Sequence, residues 1–145
     1  MSELIKFDDA DNVVLVIDDD RTTRKLLVKL LTAMGAARVW EAADGIEGLQ
    51  LAFGEPTPAL IICDLAMEPL DGFAVIGAIR TTQKSRVSKL PLVVFTASKD
   101  EAVLKAALAA GATGAISKPL NPRDLAEYLH SAMRKYVTDE IPIEV

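Results

Sequence analysis

Three stretches of this chain are apolar at every position: Val13-Val14-Leu15-Val16-Ile17, Leu60-Ile61-Ile62-Cys63 and Leu92-Val93-Val94-Phe95. A strand with one wet face alternates apolar and polar residues, whereas a strand covered on both faces need not. Uniform runs rich in β-branched residues therefore call for a sheet held between two layers. The segments that separate them can supply those layers. Arg21 to Met34 carries Leu26, Leu27, Leu30, Leu31 and Met34 at helical spacing, with Gly35 placed as a left-handed C-cap.

The rest of the chain repeats the alternation. Ala37 to Ala43 reads as a shorter strand in which Trp40 is core or partial cover, and Asp44 caps a helix over Gly45 to Phe53. Gly54-Glu55-Pro56-Thr57-Pro58 is a loop that no helix could cross. A helix over Gly72 to Arg80 turns Phe73, Val75, Ile76 and Ile79 inward. The connector Thr81 to Lys89, with Lys84, Arg86 and Lys89, reads as a solvated loop. Asp100 to Ala110 is an alanine-rich helix closed by Gly111, and Thr113 to Ser117 is a fifth strand. Asn121 and Pro122 open a last helix reaching about Tyr136, with Leu125, Leu129, Ala132 and Met133 inward. His130 sits on it without a ligand partner and reads as structural.

Strands alternating with helices imply an α/β fold with one parallel sheet and helices on both faces. Right-handed crossovers then bring the carboxyl ends of all the strands to one edge. The expected organisation is a leader over 1–11, one domain over 12–136 and a tail over 137–145.

Composition narrows the function. A net charge of −5 argues against a sequence-independent nucleic-acid binder, which needs a basic surface to displace counterions. No apolar run approaches the ~20 residues that span a bilayer, and the acidic start is not a signal peptide. The single cysteine, Cys63, rules out an intramolecular disulfide and reads as a small buried hydrophobe. A cytoplasmic protein that contacts neither nucleic acid nor membrane is the expectation.

The strand ends carry the chemistry. Asp18 and Asp19 follow the first strand, Asp64 the third, Thr96 the fourth and Lys118-Pro119 the fifth. Two carboxylates 4 Å apart repel by roughly 4 kcal/mol at an effective dielectric of 20, so the edge needs protons or a shared cation. Oxygen ligands without His or Cys favour Mg²⁺, with Mn²⁺ as the alternative. A metal, an ammonium and a hydroxyl around one carboxylate suit phosphoryl transfer, and carboxylates do accept phosphoryl groups.

In order and placement, this set resembles the receiver domain of two-component response regulators over about residues 12 to 136. The resemblance implies a flavodoxin-like, doubly wound, five-stranded sheet in the order 2-1-3-4-5. It implies that Asp64 is phosphorylated by a histidine kinase or a histidine phosphotransfer protein. Asp19, Asp64 and the backbone carbonyl of Ala66 would bind Mg²⁺, Asp18 acting through water, while Thr96 and Lys118 would contact the phosphoryl oxygens. The Lys118-Pro119 bond would be cis, as an X-Pro bond permits at small cost. Ala66 and Ser98 occupy the positions that tune dephosphorylation in the family. A stand-alone regulator is implied, with a downstream protein target on the face of the fourth helix, the fifth strand and the last helix. A homodimer through that face is compatible with it.

Ala115 departs from the pattern, since the family usually carries an aromatic there. With no rotamer at Ala115, the signal is expected to pass through Thr96 and the Ala97 to Asp100 loop. Two rivals stand beside this reading. One is a degenerate receiver that binds partners without phosphorylation. The other is a haloacid-dehalogenase-like phosphatase, whose D-x-D-x-T opening is matched by Asp18-Asp19-Asp20-Arg21-Thr22, with Asp18 as nucleophile and Asp20 as general acid. That enzyme also needs an acidic pair on a strand after the lysine, and only Asp124, Asp139 and Glu140 follow.

Overall fold

In a computed structural model of the chain, residues 12–119 and 121–138 are described, the last of these, 133–138, by backbone alone. The expected leader, the Met133 side chain and most of the expected tail lie outside the described residues. The elements run β1 (Val13–Ile17), α1 (Arg21–Ala33), β2 (Arg38–Ala42), α2 (Gly45–Ala52), β3 (Leu60–Cys63), α3 (Gly72–Thr81), α4 (Ser85–Ser88), β4 (Leu92–Thr96), α5 (Glu101–Ala110), β5 (Gly114–Ser117) and α6 (Pro122–Thr138). All four strand pairings are parallel, in the order β2-β1-β3-β4-β5, which is the expected flavodoxin-like winding.

Alternate residues of each strand feed two cores. Leu15, Ile17, Ile61, Cys63 and Val94 face α2, α3 and α5, where Ile76, Ile79 and Leu104 close the layer. Val14, Val16, Ile62, Phe95 and Ile116 face α1 and α6, against Leu27, Leu31, Leu125 and Leu129. β1, β3 and β4 are buried along their whole length, as their uniform apolarity requires. Trp40 on the edge strand is half-buried cover, and Cys63 is buried.

Helix ends follow the local chemistry. Asp20, Asp44, Asp71 and Asp100 each cap a helix, their carboxylates accepting from Thr22, Glu47, Ala74 and Ala102 backbone N–H. Gly35 has φ +107, the left-handed value its place after α1 calls for.

Two expectations need correction. Leu26 is 40% exposed instead of inward. Leu27 and Leu31, one turn apart, take the sheet-facing line of α1, and the 100° step per residue turns Leu26 toward solvent. The connector Thr81 to Lys89 is not wholly solvated either. It contains the single turn α4, whose Val87 is fully buried in the core, while Lys84, Arg86 and Lys89 stay exposed. The extra turn makes the expected fourth helix α5 and the expected last helix α6.

Candidate functional site

The parallel register itself assembles the site. Ile17 pairs with Cys63, so the next residues on the two strands, Asp18 and Asp64, emerge side by side, joined by Asp64 N–H donating to the Ile17 carbonyl at 2.9 Å. Thr96 pairs with Ser117, and Lys118 N–H donates to the Thr96 carbonyl at 2.7 Å, which brings the lysine to the same edge. Asp18, Asp64 and Thr96 are buried, whereas Asp19 is exposed.

Carboxylate oxygens of Asp18, Asp19 and Asp64 lie within 4.8 Å of one another. Lys118 Nζ stands opposite, 2.8 Å from Asp18 Oδ2 and 3.6 Å from Asp64 Oδ2, and packs 5.7 Å from the Phe95 ring centroid. Burial is the largest influence on Asp18 and pushes its carboxyl up, even though the hydrogen bond from Lys118 and the Asp20 N–H pull the other way. Burial opposes the Lys118 charge too, but there the hydrogen bond and attraction of Asp18, reinforced by Asp64, win, and the ammonium is held above its ordinary range. Two paired groups are thus both pushed up. Three carboxylates face this ammonium, so the formal negative charge of the cluster exceeds what Lys118 neutralises.

Each acid is fixed locally. Leu65 N–H donates to Asp64 Oδ1 at 2.7 Å, and Asp20 N–H donates to Asp18 Oδ1 at 2.9 Å. Arg24, on the first turns of α1, donates from Nη1 to the Asp18 carbonyl at 2.7 Å and pairs with Glu41 of β2 at 3.2 Å. Behind the loop after Asp64, Gly72 packs so closely that a Cβ there would meet the Asp64 carbonyl oxygen at 2.3 Å. The Lys118–Pro119 bond is cis, and Lys99 Nζ donates to the Lys118 carbonyl at 2.6 Å.

Asp19 and Asp64 open onto a cavity of about 600 Å³ whose wall includes Ala66, Thr96, Ala97 and Ser98, with Phe73 and Val103 on its apolar side. Thr96 Oγ1 accepts from Ser98 N–H at 3.5 Å, a weak contact that leaves the hydroxyl available to the cavity. Ala115 is fully buried on β5, away from the cavity wall.

The donor set suits a hard divalent cation. An all-oxygen set with no nitrogen or sulfur donor is of the kind that Mg²⁺ binds, and a cation here would offset the mutual repulsion of the three carboxylates. Asp20 does not fit the phosphatase role of general acid, because its carboxylate accepts from Thr22 N–H and from Thr23 Oγ1 at 2.6 Å as the cap of α1. Arg24, Gly72 and Lys99 were not foreseen. Their roles depend on groups distant in sequence, and only the position of Arg24 one turn after the acids hinted at one.

Comparison with known proteins supplies the relationship. Residues 14–130 match the family model of the response regulator receiver domain. A probable chemotaxis protein CheY of Rhizobium etli is 33% identical over 73% of this chain and 80% of its own. A probable transcriptional regulator ycf27 of Porphyridium aerugineum is 34% identical over 84% of this chain, which spans only 48% of that relative. Among solved structures, the Borrelia burgdorferi CheX-CheY-BeF3-Mg complex superposes with a TM-score of 0.76 at 26% identity, covering 84% of this chain and 89% of the other. Among the described residues no helix is long and apolar enough to cross a membrane. A family model over most of the chain, the winding of the sheet and the acid, hydroxyl and lysine at its edge agree: the chain belongs to the response regulator receiver domain family.

Proposed function

We propose that Asp64 accepts a phosphoryl group from a phosphohistidine donor, a histidine kinase or a histidine phosphotransfer protein, and that the charged form binds a downstream protein. The observation that carries this is the convergence of three carboxylates within 4.8 Å, faced by Lys118 Nζ and the Thr96 hydroxyl. Mg²⁺, or Mn²⁺ in its place, would be held by Asp19, Asp64 and the Ala66 carbonyl, with Asp18 acting through water, and would neutralise charge on the transferring group. In the transfer an Asp64 carboxylate oxygen forms a bond to phosphorus as the bond from phosphorus to the donor imidazole nitrogen breaks, and the imidazole leaves neutral after taking up a proton. Lys118 and Thr96 contact the phosphoryl oxygens. Leu65 N–H holds the Asp64 carboxylate, and the close packing of Gly72 against the Asp64 carbonyl fixes the backbone that carries it, so little reorganisation accompanies the reaction.

The partner surface on this reading is the face of α5, β5 and α6, where a downstream protein or a second copy would bind. The signal reaches it through Thr96 and the loop 97–100. Ala115 has no rotamer to contribute, and Ser98 and Ala66 set the lifetime of the phosphate. The net charge of −5 supports a protein target over nucleic acid, and the cytoplasm, where phosphohistidine donors act, is the proposed location.

The test is direct. Acetyl phosphate with Mg²⁺ is expected to add one acid-labile phosphate, and both EDTA and Asp64→Asn are expected to abolish it. Uptake that survives Asp64→Asn would sink the assignment. Partner binding with no uptake at all would favour the degenerate receiver, and sustained turnover of a phosphomonoester would favour a phosphatase.

A further inference from the structure

Among the described residues the outer edge of β5 has no neighbouring strand, because β5 ends the sheet they form. A single side chain stands in for one. The Tyr128 hydroxyl accepts from Ala115 N–H at 2.8 Å and donates to the Ala115 carbonyl at 3.2 Å, so one phenol meets both the donor and the acceptor that a paired strand would have met. The fit is built on both sides. Tyr128 is 6% exposed in the layer between α6 and the sheet, and Gly114 leaves the space, since a Cβ there would lie 2.6 Å from the hydroxyl oxygen.

That contact lies on a short route between the site and α6. Lys118 lies three residues after Ala115, just past the end of β5, and its Nζ is shared unequally, 2.8 Å from Asp18 and 3.6 Å from Asp64. A phosphoryl group on Asp64 adds negative oxygens on the more distant side and draws the ammonium toward them. β5 is four residues long and held to the sheet through β4 alone, so displacement of its end is passed along the strand to Ala115. The group that receives it there belongs to α6. We infer that Tyr128 is a positioning residue: it sets the place of β5, and hence of Lys118, against α6, and it hands the pull on Lys118 to α6 when Asp64 is charged. Ala115 offers no rotamer for this task, whereas its backbone offers two hydrogen bonds. This rests on the reading of Asp64 as acceptor.

The experiment compares amide NMR shifts of the full chain and its Tyr128→Phe variant with and without beryllium fluoride and Mg²⁺, and follows hydrogen exchange at the Ala115 amide. In the wild type, amides near residues 18–19 and 64–66 should shift, those of 125–132 should shift with them, and Ala115 exchange should change. In Tyr128→Phe the site shifts should remain while the α6 response falls by about half or more. A stabilising role alone would lower the melting temperature and leave that response intact. No shift near Asp64 in the wild type would overturn the acceptor reading and this inference with it. Site shifts with a still α6 and unchanged Ala115 exchange would overturn only the inference, as would an α6 response of wild-type size in Tyr128→Phe. If that variant does not fold, the wild-type exchange at Ala115 and the α6 shifts decide the matter.

Discussion

Lys118→Met removes the ammonium that, among the described residues, faces the acids while keeping an unbranched side chain over Phe95. At an effective dielectric of 20 the attraction is about 6 kcal/mol for a unit pair at 2.8 Å and about 5 kcal/mol at 3.6 Å. The measured loss is smaller, because the lysine no longer has to leave water and water can partly replace it. Removing one member of a buried pair costs about 3–5 kcal/mol. The Lys118 side chain is 16% exposed, which puts the expected loss at the lower end, about 3 kcal/mol. For a chain of this size that lowers the melting temperature by about 6–12 °C.

The pH dependence identifies the cause. Burial already holds Asp18 above its ordinary value of 3.8, and without the lysine it rises further. A carboxyl raised in the folded state contributes stability that is complete below its unfolded value and is lost as pH rises through the raised one. The deficit of Lys118→Met relative to wild type is therefore small near pH 4 and grows toward neutral pH. In the wild type the contribution of Lys118 persists until pH rises through its own raised value, beyond 10.5. Thermal melts of both proteins in EDTA across this range measure the difference. A neutral-pH deficit under about 2 °C, or one that does not vary with pH, would refute the reasoning. Mg²⁺ should raise the melting temperature of the variant more than that of wild type, because its acids have lost the Lys118 ammonium.

Gly72→Ala forces its new methyl group against the Asp64 carbonyl and the Leu65 backbone, and such overpacking costs about 1–3 kcal/mol. Beryllium fluoride affinity should fall together with the melting temperature, and a stable variant with unchanged affinity would contradict the contact. Ala66 has no group to orient an attacking water, so Ala66→Asn and Ala66→Glu should each change the half-life of the phosphorylated protein by about threefold or more. Half-lives indistinguishable from wild type would remove Ala66 from the set of tuning positions.

Much of this architecture is legible in the chain because burial leaves a plain mark. A strand covered on both faces cannot hide its composition, so Val13–Ile17 and Leu60–Cys63 announce a parallel sheet, and the parallel sheet places Asp18 beside Asp64. What was missed depends on distant partners. Leu26 shares the helical spacing of Leu27, and only the contact with the sheet decides which of them is inside. Val87 sits in a polar segment whose average character hides one anchoring side chain. Tyr128 reads as one more apolar position of an amphipathic helix until β5 is known to be the last strand.

Two small residues, Ala66 in the cavity wall and Ala115 buried on β5, bear on how the proposed switch would work. A switch needs an element with two arrangements whose balance the ligand biases. With an alanine at 115 no side chain can turn at that position, so on the proposed reading the two arrangements are carried by the backbone. Two backbone connections leave the site. Thr96 Oγ1 accepts from Ser98 N–H, Ser98 Oγ from Asp100 N–H at 3.3 Å, and the Asp100 carboxylate from Ala102 N–H at 2.9 Å, a chain of contacts ending at the first turn of α5. Its first link is long, and a Thr96 hydroxyl that turns to a phosphoryl oxygen gives up little to break it. Lys118 and β5 lead the other way, to Tyr128 and α6. Both routes start on groups that compete for the same charge on Asp64 and end on the two helices that flank β5. On the proposed reading, a partner bound to that face would sense both ends of the site at once, which an aromatic rotamer at 115 would not have required.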